Sequence, residues 1–397
     1  MRIVHLINNL GHVGGAELAL LRLLEARAPS DGEHTVVALL EADRLGPRFE
    51  AIGVPVHALQ LARAGALGGL LGATVPGAGR PGRGLPARLL PLLRGPAPDL
   101  YVGWMYYGNL VATALGTWHG APVLWNVRHS LHDDARSGGS TRRALSLCTA
   151  LALHPRRIVF NSAMAAEQHA ARGWPRERSL VVHAGTDVER HRDDADVRER
   201  ARAMLGVDAR TPLLGRFGRD HPLKGHDLLL RAFARMPPDG TGPLPVLVLG
   251  GRDVDEGNAR LNALRAELGL AARVRLVGEC DDLPALLPAF DVCVSSSHSE
   301  SFPNVVAEAM ACGVPCVATD VGESADVLGD TGWLVPPHDE AALAHALATA
   351  IAAQQHAPLP RRRAARARIV DAFSSGATVA AYSRLYRACA DPAFTDP

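Results

Sequence analysis

The sequence predicts an α/β protein made of two halves, each a parallel sheet with crossover helices. Three observations carry this. The chain has 397 residues, which suggests more than one domain. Apolar, β-branched runs alternate with helix-like patterns along most of it, the sign of parallel strands joined by helices. The alternation falls into two series, separated by Ala184-Gly185-Thr186-Asp187 and the polar stretch 189–200.

Taken in order, the first series predicts strands at 2–7, 34–40, 100–104, 122–127, 157–161 and 180–183. The second predicts strands at 212–217, 244–249, 273–277, 291–295 and 315–318. Residues 61–98 are the least regular part, dominated by glycine, proline, arginine and leucine. Arg80, Arg83, Arg88 and Arg94 give this part positive charge, and Leu85 to Leu93 suggests a short amphipathic helix. Two readings stand for it: a peripheral membrane patch serving a lipid-linked acceptor, or an insertion over the first domain.

Composition narrows the function. The chain is 47% hydrophobic and 21% charged, as in soluble globular enzymes. A net charge of +1 offers no general field for nucleic acid. The six cysteines, at 148, 280, 293, 312, 316 and 389, form no C-x-x-C pair, so neither a zinc site nor a disulfide frame is indicated. The chain opens directly on the strand-like 1–7 and has no uncharged apolar run of spanning length. A cytoplasmic protein is the expectation.

The densest chemistry lies in Ser297-His298-Ser299-Glu300-Ser301-Phe302-Pro303-Asn304-Val305-Val306-Ala307-Glu308. Pro303 has no amide hydrogen and is tolerated only near a helix start, which predicts a helix from about 302–304 to 311. Its first amides, those of Asn304 and Val305 among them, lack intrahelical partners and suit phosphate or sugar oxygens. Glu300 precedes that helix and Glu308 rides on it. An isolated pair at this spacing is ordinary helix chemistry, one glutamate complementing the dipole and one solvated. The flanking sequence, on through Val317-Ala318-Thr319-Asp320-Val321-Gly322, argues otherwise.

This segment resembles the E-x7-E motif of retaining GT-B glycosyltransferases of family 4. The resemblance implies two Rossmann-like domains facing across a cleft. It divides the chain into an acceptor-side domain, 1–186, and a nucleotide-sugar domain, 187–372, with the final helix, 373–397, packing back on the first through Tyr382, Leu385 and Tyr386. It further implies that Glu300 holds the transferred hexose and Glu308 the ribose, with Phe302, Pro303, Asn304 and Val305 lining the donor.

Six other segments fit the resemblance. Gly14-Gly15-Ala16-Glu17 is similar to the GGAE turn that lies across from the donor diphosphate, although Glu17 also suits an ordinary first helical turn. In Gly215-Arg216-Phe217-Gly218-Arg219-Asp220-His221-Pro222-Leu223-Lys224-Gly225, Lys224 matches the phosphate lysine. Arg219 has the commoner five-residue offset to it, while Arg216 follows the strand-terminal glycine as in many relatives; both remain open. Fixed cations there would stabilise a departing diphosphate more in the transition state than in the ground state. Asn126-Val127-Arg128-His129 ends a strand, with His129 the candidate sugar contact, His132 its alternative, and Arg128 a contact for acceptor or phosphate. Gly250-Gly251, Val277-Gly278-Glu279 and Leu283 correspond to the region around the nucleotide, and Asn161-Ser162 to another position at the cleft.

Asp194/Asp196 and Asp253/Asp255 read as D-x-D pairs, a metal–diphosphate signature in GT-A enzymes. Here helix capping is the simpler reading, and no metal or other cofactor is expected. Two departures from the family stand out: Ala184-Gly185-Thr186-Asp187 replaces the usual Asn-Gly before the junction, and the glutamate expected after Val321-Gly322 is read as Asp326.

The expectation is a retaining hexosyltransferase working from a UDP-hexose donor on a sugar, lipid-linked or small-molecule acceptor, in polysaccharide, glycolipid or natural-product glycoside assembly. A GT-B sugar-nucleotide epimerase and a non-catalytic nucleotide-sugar-binding module are the alternatives. Donor turnover without acceptor would mark the first, and absence of any turnover the second.

Overall fold

The computed structural model describes residues 1–61, 90–131, 139–236, 243–391 and 393. Arg80, Arg83, Arg88, most of the predicted 85–93 helix and His132 fall outside these residues. A helix at Leu90–Arg94 is described. The chain divides into two compact units: Met1–Gly185 with Ser375–Pro397, and Thr186–Ser374.

The first unit holds a seven-stranded, all-parallel sheet. Its strands are β1 (Arg2–Ile7), β2 (Glu33–Ala38), β3 (Val56–Ala58), β4 (Leu100–Trp104), β5 (Val123–Val127), β6 (Arg157–Phe160) and β7 (Ser179–Val181). The spatial order is β3-β2-β1-β4-β5-β6-β7. Central strands of such sheets are covered on both faces and so lack hydrophobic alternation; β4 and β5 are accordingly buried at every position.

One face of this sheet carries Trp125, Tyr106, Phe160 and Trp174 in its core. The other carries Leu20, Leu24, Trp104 and, from the chain's far end, Tyr382, Tyr386 and Cys389. The helix Ser375–Ala390 therefore belongs to the first unit's core. Asn126 Nδ2 donates to Tyr382 Oη beneath it (2.5 Å). Burying an aromatic side chain of that size contributes on the order of 1.5–3 kcal/mol.

The second unit holds six parallel strands: β8 (Leu213–Phe217), β9 (Val246–Gly250), β10 (Val274–Leu276), β11 (Val292–Ser295), β12 (Cys316–Thr319) and β13 (Trp333–Val335). Their order, β10-β9-β8-β11-β12-β13, repeats the pattern of the first six strands of the other sheet. The two strands absent from the sequence-based series, β3 and β13, are three-residue edge strands. Pro55 and His57 interrupt the first run, and Gly332 and Pro336 confine the second.

Order reversal puts β1 beside β4 in one sheet and β8 beside β11 in the other. In open parallel sheets, ligands bind beyond the carboxyl ends of the strands at that switch. The segments that matter are therefore those leaving β1, β4 and β5, and those leaving β8 and β11.

Candidate functional site

In the second unit, two loops meet at the switch point. The first leaves β8 and runs through the short 3-10 turn Pro222–Lys224, with His221 at its N-cap. The turn ends at Gly225, whose φ of 63° is left-handed. Added to Gly225, a Cβ would drive into the Ser296 carbonyl, so only glycine lets the two loops approach this closely. The second loop leaves β11 through Ser296 and Ser297, both fully buried.

Lys224 Nζ donates to Glu300 Oε1 at 2.6 Å, joining the two loops by a charge-assisted bond. Both side chains are mostly buried, at 24% and 16% exposure. Ser297 Oγ donates to the same carboxylate oxygen at 2.9 Å. Ser296 Oγ donates back across the gap to the Gly225 carbonyl at 2.9 Å, and His298 N donates to the Leu223 carbonyl at 2.7 Å.

The structure separates the two arginines. Arg216 is buried: its Nη1 donates to the Phe217 carbonyl and its Nη2 to the Lys224 carbonyl, both at 2.6 Å. A longer bond, 3.3 Å, runs from Nη2 to Ser297 Oγ. Burial pulls its pKa below the usual arginine value, and the neighbouring Glu300 opposes that. Arg219 is exposed, and its guanidinium makes no hydrogen bond or ion pair among the described residues; only its carbonyl is engaged, by His226 Nε2. Arg216 thus acts as a strut between the loops, while Arg219 has donors to offer a ligand.

The helix after Glu300 spans Asn304–Ala311 with Pro303 at its N-cap. One expectation is corrected here: the Asn304 amide is spent on the Phe302 carbonyl at 3.0 Å, because the turn through Pro303 folds back on itself. The Val305 amide makes no hydrogen bond among the described residues. Phe302 is buried, its ring 5.9 Å from that of Phe373. Glu308 is buried at 6% exposure on the helix itself.

A second correction concerns the glutamate read as Asp326. Glu323 directly follows Gly322 and is buried at 3% exposure, whereas Asp326 is exposed. The Glu323 amide donates to the Ser301 carbonyl at 3.1 Å. Gly322 itself backs onto the Glu300 carbonyl, 2.5 Å from where a Cβ would lie. The signal, glutamate immediately after glycine, was present in the sequence and misassigned by three positions.

Gly250 ends β9, and a Cβ there would meet the Phe217 ring at 2.8 Å. The D-x-D pairs serve local structure. Asp194 caps the helix Ala195–Met204 through Asp196 N and Val197 N. Asp255 takes the Gly257 amide at 2.8 Å, and Asn258, rather than either aspartate, caps the next helix, Ala259–Glu267. Among the described residues no cluster of three or more His, Cys, Asp or Glu is arranged to hold a metal.

In the first unit, Gly14 is the N-cap of the helix Gly15–Glu25. The Glu17 carboxylate folds back to where a Gly14 side chain would lie, so the glycine leaves it room; Gly15 faces open space. Burial raises the Glu17 pKa, against its own backbone amide and His12. His129 follows β5 and packs edge-on against Tyr106, ring centroids 5.2 Å apart. Arg128 lies 5.9 Å over the Trp104 ring, with Nη1 3.4 Å from Tyr382 Oη. Ser162 caps the helix Ala163–Ala170. Among the described residues no helix is long and apolar enough to cross a membrane.

Two Rossmann-like parallel sheets on one chain, with a lysine–glutamate pair at the second switch point, define the GT-B class of fold. Solved structures share it along nearly the whole chain. Anabaena HepE in complex with UDP and glucose gives a TM-score of 0.79 at 23% identity, covering 98% of this chain and 99% of that one. Sucrose-phosphate synthase from Thermosynechococcus elongatus gives 0.73 at 22% identity, covering 97% and 98%. Residues 211–353 match the family profile described as "Glycosyl transferases group 1", and residues 14–185 match the "Glycosyl transferase 4-like domain". The chain belongs to the group 1 glycosyltransferases. Curated relatives include a D-inositol 3-phosphate glycosyltransferase of Mycobacterium sp. (strain KMS), 37% identical over 216 residues, 53% of this chain and 47% of the relative. A Streptomyces avermitilis protein of the same name is 39% identical over 206 residues, 48% of this chain and 43% of that one. The matches thus span about half the length of these relatives.

Proposed function

We propose that this protein transfers a hexose-type sugar from a nucleotide-sugar to an acceptor hydroxyl, with retention at the anomeric carbon. The observation that carries this is the Lys224–Glu300 pair, 2.6 Å apart at the switch between β8 and β11. A UDP-linked donor is supported by the structural neighbours, whose crystals hold UDP, glucose or UDP-glucose.

The residues divide the work as follows. Lys224, with Arg219, faces the diphosphate. As the bond from the sugar's anomeric carbon to the phosphate oxygen breaks, its electron pair goes to the diphosphate. Fixed cations stabilise that charge in a site partly shielded from water. The acceptor hydroxyl oxygen bonds the same carbon from the same face, and its proton passes to the leaving phosphate oxygen. Glu300 receives a sugar hydroxyl through Oε2, since Oε1 is already engaged. Glu308 serves the ribose, and the Val305 amide a phosphate or sugar oxygen. No carboxylate nucleophile is required, unlike a retaining glycosidase with its paired acids. With two cations in place we propose a metal-independent reaction, and the acceptor is a sugar, lipid-linked or small-molecule hydroxyl. His129 remains the sugar-contact candidate of the first unit.

The test is calorimetric titration with UDP and GDP, together with turnover of a UDP-hexose panel by Lys224→Ala in EDTA-treated buffer. Weak nucleoside-diphosphate binding and a loss of about 100-fold or more in turnover are expected for the variant. Undiminished turnover would remove the phosphate role, and abolition of wild-type activity by EDTA would remove metal independence.

A further inference from the structure

We propose that Ser297 is a positioning residue for Glu300, and that Arg216 is the strut that ties both to the Lys224 loop. This deepens the sugar-transfer reading and rests on it.

Glu300 sits in an irregular loop, not on a helix or strand. A glutamate there has three rotatable side-chain bonds, and ordering them costs up to about 2 kcal/mol. Lys224 alone fixes a distance, not an orientation: an ammonium is a compact charge without directional fork geometry. The Ser297 hydroxyl supplies the missing constraint. It donates to Glu300 Oε1 at 2.9 Å, the oxygen that Lys224 also holds at 2.6 Å. Two donors on one oxygen fix the carboxylate plane. Oε2 makes no hydrogen bond among the described residues, so Glu300 presents one acceptor oxygen in a set direction.

Ser297 is itself held. Arg216 Nη2 donates to Ser297 Oγ at 3.3 Å, so the hydroxyl hydrogen is left to point at Glu300. The same nitrogen donates to the Lys224 carbonyl at 2.6 Å. Thr319 Oγ1 donates to the Ser297 carbonyl at 2.6 Å, locking its backbone to β12. Ser297 is fully buried and Arg216 is 3% exposed, so water does not compete for these bonds. Their arrangement is that of a preorganised reactive pair with supporting hydrogen bonds behind it.

Ser297→Ala removes one hydroxyl and leaves the Lys224, Arg219 and Glu300 side chains chemically intact. Expected is a fall in kcat of roughly 10–100-fold, the scale of a small misplacement of a reacting group. The UDP dissociation constant should stay within about twofold of wild type, because the diphosphate cations are untouched. A purely structural role would instead lower melting temperature and UDP affinity together. The crystal structure of Ser297→Ala is the second readout, with the Glu300 carboxylate expected to be rotated or spread over several rotamers. An unchanged kcat, or Glu300 still seated on Lys224 in its original orientation, overturns the proposal. Should the wild-type protein turn over no nucleotide-sugar while Glu300 still swings away in the variant, the sugar-transfer reading falls and the positioning role stands.

Discussion

The two units share a strand order but not a wiring plan. In the second, the candidate residues are bonded to one another: Lys224, Glu300, Ser297 and Arg216 form one connected network between two loops. In the first, Gly14 and Glu17 meet at the start of one helix, while His129 follows β5 and packs on Tyr106. The first unit's extended polar network lies inside its core instead. There Trp104 Nε1 donates to His5 Nδ1 at 3.2 Å, which makes His5 Nε2 the donor to His34 Nδ1 at 2.9 Å. Tyr386 packs against both histidine rings. A connected site loses function when any member is removed, whereas separately held residues fail one at a time.

The largest test of this contrast is a pair of variants. Lys224→Ala should reduce kcat/KM by about 100–1,000-fold, as for loss of a transition-state charge partner. His129→Ala should cost about tenfold, the loss of a single sugar contact. Steady-state kinetics on a common donor checks both, and equal losses would break the contrast. Next is Gly225→Ala. Left-handed backbone and the Ser296 carbonyl both oppose it, so destabilisation of about 2–3 kcal/mol or more is expected in urea unfolding. An unaffected midpoint would show that the loops can move apart.

Acid should weaken both units. Burial first of all, with Arg27 adding, lowers the His34 pKa from 6.5 to about 4; burial, with Arg216 adding, does the same for His226. Between those values the unfolded chain binds protons that the native protein refuses. Stability is therefore full above the unfolded value of 6.5, falls as pH drops toward 4, and levels off below it for these groups. Each histidine contributes a slope of at most about 1.4 kcal/mol per pH unit. Urea titrations at pH 7 and pH 5 read this, and His226→Asn should flatten the dependence of the second unit only. The smallest effect is Tyr382→Phe, which removes the acceptor shared by Asn126 and Arg128 and should cost about 1 kcal/mol; a change far above that would mean the hydroxyl organises more than these two neighbours.

Much of this was legible in the sequence because it rests on local rules. Buried parallel strands read as apolar runs, so β1, β4 and β5 were found to within a residue of their ends. Pro303 announced a helix start, and the helix begins at Asn304. Edge strands β3 and β13 escaped, though β7 and β10 are as short, because Pro55 and His57 interrupt one apolar run and Gly332 and Pro336 confine the other. The roles of Arg216 and Arg219 stayed open for a different reason. Burial of one and exposure of the other depend on where the Lys224 loop lies over β11, and no local pattern encodes that.

By itself, the sequence determined the fold class and the two series of strands, because propensity and periodicity act over a few residues, while its resemblance to a known family named the candidate carboxylates and cations. Only tertiary structure decided which groups touch. It placed Glu323 against the Ser301 backbone and joined Lys224 and Arg216 to the loop that carries Ser297 and Glu300. Such contacts join residues up to 81 positions apart, as Arg216 and Ser297 are, and exist only once two loops are brought together at the edge of a finished sheet.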